Sequence, residues 1–328
     1  MSESPKISRR GFLKVAGGVA IAAGAGIPGT AGAKEPRGAA TLIDIGRCDG
    51  CPNYEIPLCV AACRERYLSR VPEPVDPIPK LFPRGKVEDW SKRKNVFDRL
   101  TPYNRIYVQK AAVSGDGKVR EFHIPRRCMH CDHPACATLC PFSANKKHEN
   151  GAVVIDPDLC FGGAKCRDLC PWAIPQRQSG IGLYLHILPT LAGNGVLFKC
   201  DLCHERIEKN ELPVCVAACH REVMTFGPRE AVFAEAEKRA AETGGFLYGK
   251  NENGGTSTLY LSPVPFEKLN GVIEKGPGKP HFDPVKPRMA ETNALAKAVL
   301  LSPLVGLAAA WFGTAVAASG SEDGKGGK

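Results

Sequence analysis

Apolar residues in this chain gather in short runs through the middle and in long runs only near the two ends. Residues 298–318, AVLLSPLVGLAAAWFGTAVAA, contain no charged side chain. At 1.5 Å per residue such a run crosses a hydrocarbon core of roughly 30 Å, which predicts a transmembrane helix within 294–319. Pro303 is tolerated near one end of it, and Trp311 with the Ala and Gly content suits helix packing in lipid. A buried hairpin or core helix is the competing reading, and it fits poorly with a run followed only by the polar tail 320–328.

Shorter patterns lie between the ends. Residues 40–46 (ATLIDIG) and the trio Val153, Val154, Ile155 each predict a strand leading into a cysteine group. Each group is followed by a helix-sized segment, so strand, cysteine loop and helix repeat. Residues 228–243 (PREAVFAEAEKRAAET) have a proline start, an acidic first turn and a basic later part, and predict a surface helix. Between Cys63 and Cys128 lies a long insertion whose stretch PEPVDPIPKLFP is too proline-rich for regular structure. Its basic residues Lys92, Arg93 and Lys94 read as a solvated loop or as an interface with a partner subunit. Residues 244–293 are expected to run over the surface as an extended linker. The four-cluster domain is thus placed at 34–243, and the fold class is α+β: two ferredoxin-like modules with loop-rich insertions and a C-terminal transmembrane helix.

Composition supports a fold stapled by something other than a large core: Gly 35 and Pro 27 make the chain loop-rich, and aromatic content is 7%. The net charge is +10, of which the first 33 residues supply +3 (Lys6, Arg9, Arg10 and Lys14 against Glu3), leaving +7 scattered among acidic residues. Nucleic-acid binding would need a concentrated basic stripe, and none is evident. The start itself reads SRRGFLK at 8–14, then an uncharged run, then Ala31, Gly32, Ala33. That pattern predicts a twin-arginine export signal at 1–33, cut to leave Lys34 first. The route carries folded proteins, as a protein loaded with cofactors in the cytosol requires. It places the body on the periplasmic side of the inner membrane.

All fifteen cysteines fall in four groups: Cys48, Cys51, Cys59, Cys63; Cys128, Cys131, Cys136, Cys140; Cys160, Cys166, Cys170; and Cys200, Cys203, Cys215, Cys219. Soft thiolates delivered from tight C-x2-C turns, with a more remote cysteine closing the last corner, suit iron-sulfur clusters. In the third group, CFGGAKCRDLCP, the spacing C-x2-C-x2-C-x3-C-P would put a thiolate at position 163, where the chain has Gly163. The first and fourth groups share the ending CVAAC, which points to duplicated modules. Structural zinc would not need the C-x3-C ends. Disulfides would leave an odd thiol. His130, His133, His204 and His220 beside the cysteines are expected to donate hydrogen bonds or pack near clusters rather than to ligate. No phosphate loop, dinucleotide fingerprint or catalytic triad is present, so the chain is expected to carry electrons without transforming a substrate.

The four groups, the CP ends of the second and third, and KCDLC at 199–203 resemble the four-cluster ferredoxin-type electron-transfer subunits of bacterial respiratory oxidoreductases. The twin-arginine start and single C-terminal membrane helix narrow the resemblance to the HybA type, associated with nickel-iron hydrogenases. The resemblance implies crosswise ligation. Cys48, Cys51, Cys59 and Cys219 would hold one 4Fe-4S cluster, Cys200, Cys203, Cys215 and Cys63 a second, and Cys128, Cys131, Cys136 and Cys170 a third. Only Cys160, Cys166 and Cys140 remain for the fourth. Three thiolates imply a 3Fe-4S cluster, or a 4Fe-4S cluster whose odd iron takes water or a side chain such as Lys165 or Asp168. Arg64 and His220 follow Cys63 and Cys219 where the family often has proline, which removes no ligand. Lys199 is expected to tune potential through its charge. The implied partners are a catalytic subunit, a hydrogenase first and a molybdenum oxidoreductase or cytochrome c nitrite reductase complex second, and an integral membrane quinone-reactive subunit. The different-class alternatives are a stand-alone soluble ferredoxin or a zinc scaffold.

Overall fold

The run ATLID becomes strand β1 (Ala39–Asp44), whose residues 40–43 are buried. The computed structural model describes residues 38–287 except 81, 83–85, 116, 192 and 193, so the export signal expected at 1–33 and the membrane helix expected within 294–319 lie outside the described residues. Among the described residues, no helix is long and apolar enough to cross a membrane.

After β1 come helix α1 (Leu58–Tyr67) and the hairpin strands β2 (Tyr107–Gly115) and β3 (Lys118–Arg126). The next cysteine groups bring the one-turn helices α2 (Ala135–Thr138) and α3 (Lys165–Leu169), with strands β4 (Asn145–Lys147) and β5 (Val153–Ile155) between them. Strand β6 (Gln176–Gln178), helix α4 (Tyr184–Ile187) and strand β7 (Val196–Phe198) lead to helices α5 (His204–Ile207) and α6 (Val214–Ala217). Strand β8 (Met224–Pro228), helix α7 (Arg229–Thr243), strands β9 (Phe246–Tyr248) and β10 (Thr258–Ser262) and helix α8 (Phe266–Val272) follow.

One four-stranded sheet, in the order β8-β1-β10-β9, ties the start of this region to its end. β1 runs parallel to β10, with Ile43 opposite Tyr260, and antiparallel to β8. Helix α7 forms where its sequence predicts: Pro228 stands at its N-cap, and Gly244 ends it in the left-handed region at φ 64. Its Val232 and Ala236 pack on Ala40, Leu42, Leu259 and Leu261 of the sheet. Three two-stranded pairs, β2-β3, β4-β5 and β6-β7, complete the strand structure among the described residues. The short pairs β4-β5 and β6-β7 each follow a cysteine group, as ferredoxin-like modules require.

The structure corrects the expected linker. Residues 244–287 are an integral part of the fold: all five residues of β10 are buried, and they sit between β1 and β9. Glycine and proline density suggested a surface path, but those residues make the turns around a β-branched and aromatic run, TLYLS. Phe282 closes the core from the far end, with its ring 5.1 Å from Tyr248, 5.3 Å from Tyr260 and 4.9 Å from Phe266. Arg126 stacks 3.7 Å from the Phe282 ring and donates to the His281 carbonyl at 2.8 Å. The segment also reaches the second cysteine group, since Ser257 N–H donates to the His130 carbonyl and Asp132 N–H to the Gly255 carbonyl, both at 3.0 Å.

The insertion between Cys63 and Cys128 is irregular where proline dominates, but it also contains the β2-β3 hairpin. It braces the third cysteine group through Glu88. That carboxylate takes both guanidinium arms of Arg167 at 2.7 and 2.9 Å and a third bond from Arg177 at 2.6 Å. Burial alone would raise its pKa, but the Arg167 and Arg177 guanidiniums outweigh that and hold it at about 2. In the basic stretch, Arg93 stacks 4.6 Å over Trp90, and Lys94 pairs with Glu73.

Candidate iron-sulfur centres

Tight turns aim the first cysteines of each group inward. Cys51, His130, Leu202 and Cys203 have φ of 58, 50, 62 and 53°, left-handed values that non-glycine residues adopt only when their surroundings hold them there. Helix α1 then presents Cys59 and Cys63, one turn apart, and both are buried. α2, α3 and α6 carry Cys136, Cys166 and Cys215. None of the fifteen thiols is in a disulfide.

The fold brings thiols from distant groups together. One cavity is lined by Cys48, Cys51, Cys59 and Cys219, and Cys219 and Cys51 both lie close enough to Cys48 for their charges to repel. Cys63 stands within the same reach of Cys200, Cys215 and Cys203. Cys131 neighbours Cys170, Cys128 and Cys136. Cys166 neighbours Cys160 and Cys140. Charge also acts between the sets: Cys215 on Cys59, Cys128 on Cys200, and Cys136 on Cys166. The first three sets share one hydrophobic core, and Cys160 with Cys140 and Cys166 belongs to a second.

These thiols are placed where they would hold a proton unless a cation stood beside them. Burial, before any neighbouring charge, pushes Cys48 up to about 11 and Cys166, Cys170 and Cys200 up to about 12. Iron offsets that cost, because a metal-bound thiolate shares its charge. Backbone N–H groups already point at several sulfurs: Leu197 to Cys160, Leu202 to Cys200 and Val223 to Cys219, each at 3.4 Å. Among the described residues, no group of three or more His, Cys, Asp or Glu side chains is arranged to hold a single metal ion. A tetrahedral zinc would need thiolates about 3.8 Å apart. Buried thiols gathered in sets and free of disulfides fit clusters.

Gly163 is exposed, and a Cβ built on it meets nothing within 4 Å. The adjacent Gly162 differs: with φ +68°, its Cβ would lie 2.4 Å from the Gly195 carbonyl oxygen. Lys165 and Asp168 are both exposed.

The histidines take varied partners. His130 is fully buried; its Nδ1 accepts from the Val153 N–H at 3.0 Å, so a neutral ring carries its proton on Nε2, and burial holds the ring neutral. His204 is engaged by Asn150 at 2.8 Å and Glu208 at 3.3 Å, and His220 lies 3.6 Å from Asp49. His133 is exposed. Sequence reasoning named Lys199 but missed Arg127 and Arg105. Lys199 is buried, donates to the Val153 and Cys200 carbonyls, and its charge favours the thiolates of Cys136 and Cys166. Arg127 favours those of Cys200 and Cys215, and Arg105 that of Cys63. The available signal was a basic residue immediately before a cysteine, present in RRC at 126–128 as in KC at 199–200.

Two stretches of the chain, 47–144 and 119–229, match models of 4Fe-4S dicluster domains, and together they contain every cysteine. The class is therefore a ferredoxin-type iron-sulfur protein. Over 305 residues the chain is 30% identical to the hydrogenase-2 operon protein HybA of Escherichia coli O157:H7, spanning 80% of this chain and 83% of that one. The chain belongs to the HybA-like family of iron-sulfur electron-transfer subunits. It is also 29% identical over 193 residues to the probable anaerobic dimethyl sulfoxide reductase chain YnfG of Escherichia coli K12 (58% of this chain, 73% of the relative). A sulfite dehydrogenase subunit of Allochromatium vinosum is 29% identical over 216 residues (63% and 75%).

Proposed function

We propose that the chain conducts electrons through three 4Fe-4S clusters and one 3Fe-4S cluster, between a periplasmic catalytic subunit and a membrane subunit that handles quinone. The single observation that carries this reading is the approach of thiols from distant groups, Cys219 to Cys48, Cys200 to Cys63, Cys170 to Cys131 and Cys140 to Cys166. Cys48, Cys51, Cys59 and Cys219 hold the first cluster; Cys63, Cys200, Cys203 and Cys215 the second; Cys128, Cys131, Cys136 and Cys170 the third; Cys140, Cys160 and Cys166 the three-iron site. The clusters supply reversible one-electron exchange. The protein's part is to hold them in line, keep water from them and set their potentials. The touching sets order the wire: Cys59 meets Cys215, Cys200 meets Cys128, and Cys136 meets Cys166, so the three-cysteine site stands at one end.

The catalytic partner is a nickel-iron hydrogenase. Support comes from the match to HybA along most of both chains, against partial coverage of the dimethyl sulfoxide reductase and sulfite dehydrogenase relatives. Export by the twin-arginine route and anchoring by residues 294–319 follow from the sequence pattern. Purification from membranes in mild detergent is expected to recover a nickel-iron large subunit and an integral membrane subunit with this chain. Recovery of a molybdopterin subunit instead would overturn the choice of partner.

A further inference from the structure

Arg127 is 1% exposed, yet among the described residues its guanidinium pairs with no carboxylate. Nη1 points at Cys215 Sγ at 3.9 Å, and Nε and Nη2 are buried without a hydrogen-bond partner. The groups that act on its charge are Cys215 and Cys200 first, then Tyr260 and Cys203. A guanidinium does not shed its proton to escape burial, so an isolated one in the core is strongly unfavourable. The anion that offsets it has to come from the thiol set beside it. Neighbouring cations are already partnered: Arg105 lies 3.4 Å from Asp201, and Lys199 donates to two carbonyls. At the first set the nearby acid, Asp49 beside Cys48, is itself paired with Arg221 at 3.8 Å.

We propose that Arg127 is the resident counter-cation of the cluster held by Cys63, Cys200, Cys203 and Cys215 and selectively raises its reduction potential. This rests on the iron-sulfur reading. Reduction adds one electron to an already anionic site, and a fixed cation in a low-dielectric surrounding stabilises the reduced form more than the oxidised one. Nε–H and Nη2–H are donors free to meet sulfur acceptors, which acts in the same direction. Arg127 is thus a positioning residue that sets a potential, with no bond to iron.

The test is a redox titration of the full-length protein followed by electron paramagnetic resonance, after iron and sulfide have been quantified in each preparation. Arg127→Gln, which removes the charge and keeps an amide donor, should shift one four-iron couple downward so that its reduced-to-oxidised ratio at fixed potential falls about tenfold, about 59 mV for one electron. Arg127→Lys should restore most of that shift, and Cys63→Ser should perturb the same couple. Unmoved potentials in Arg127→Gln at full iron content, or an equal shift of every couple, would overturn the assignment. Should Arg127→Gln lose iron, Arg127→Lys decides: full iron there supports a counter-cation role, and loss of iron there too refutes a role carried by charge. A wild-type protein without iron or sulfide would refute the iron-sulfur reading itself.

Discussion

Oxidised protein is expected to give a 3Fe-type electron paramagnetic resonance signal, and Gly163→Cys is expected to abolish it while adding one iron per chain. The spacing CFGGAKC leaves the second position of a C-x2-C-x2-C run to Gly163, and the three thiols of that set are buried or half-buried beside one another. A side chain at 163 meets no obstacle, so Cys can be placed there without repacking its neighbours. Gly162→Ala is the informative contrast. It forces a Cβ against the Gly195 carbonyl in a left-handed conformation and should weaken the loop without supplying a ligand. A fourth thiolate also adds negative charge, so the restored four-iron site should have a lower potential than the three-iron one. Cluster-replete wild-type protein lacking a 3Fe signal would contradict this account of the site.

The second large effect concerns the segment from β9 onward. Phe282→Ala should destabilise the fold by roughly 3–5 kcal/mol, the usual cost of emptying an aromatic site in a packed core. Its ring is 2% exposed, lies against Tyr248, Tyr260 and Phe266, and carries the Arg126 guanidinium on one face. Removing it also strips Arg126 of its main neighbour, leaving a buried cation held by one carbonyl bond. Thermal or denaturant unfolding should show the loss directly. A chain ending at Thr243 should fare worse and fail to fold, because β10 separates β1 from β9 in the sheet. Wild-type stability in either variant would mean that 244–287 is the surface linker its composition suggested.

The chemistry of this chain was more legible than its architecture. Cysteine spacing is a short-range signal, and it located every thiol that the fold gathers, including the gap at Gly163. Strand β1 and helix α7 were equally readable, because an apolar run and a Pro-to-Gly helix frame are local patterns. The β2-β3 hairpin was missed although the Asp116-Gly117 step between two alternating stretches signals one. Strand β10 was missed for a stronger reason: its partner β1 lies more than two hundred residues away, and turn glycines surround it. Glu88 was out of reach for a related cause. A charged residue reads as surface until the fold shows what surrounds it. The nearness of Cys59 to Cys215, from groups far apart in sequence, is likewise visible only in the fold.

Iron and acid-labile sulfide, quantified in protein purified anaerobically from membranes and read with its electron paramagnetic resonance spectrum, test the central claim most directly. Iron with nearly equal sulfide, a 3Fe signal when oxidised, and several interacting four-iron signals when reduced are expected. Stoichiometric zinc with no labile sulfide would contradict that claim.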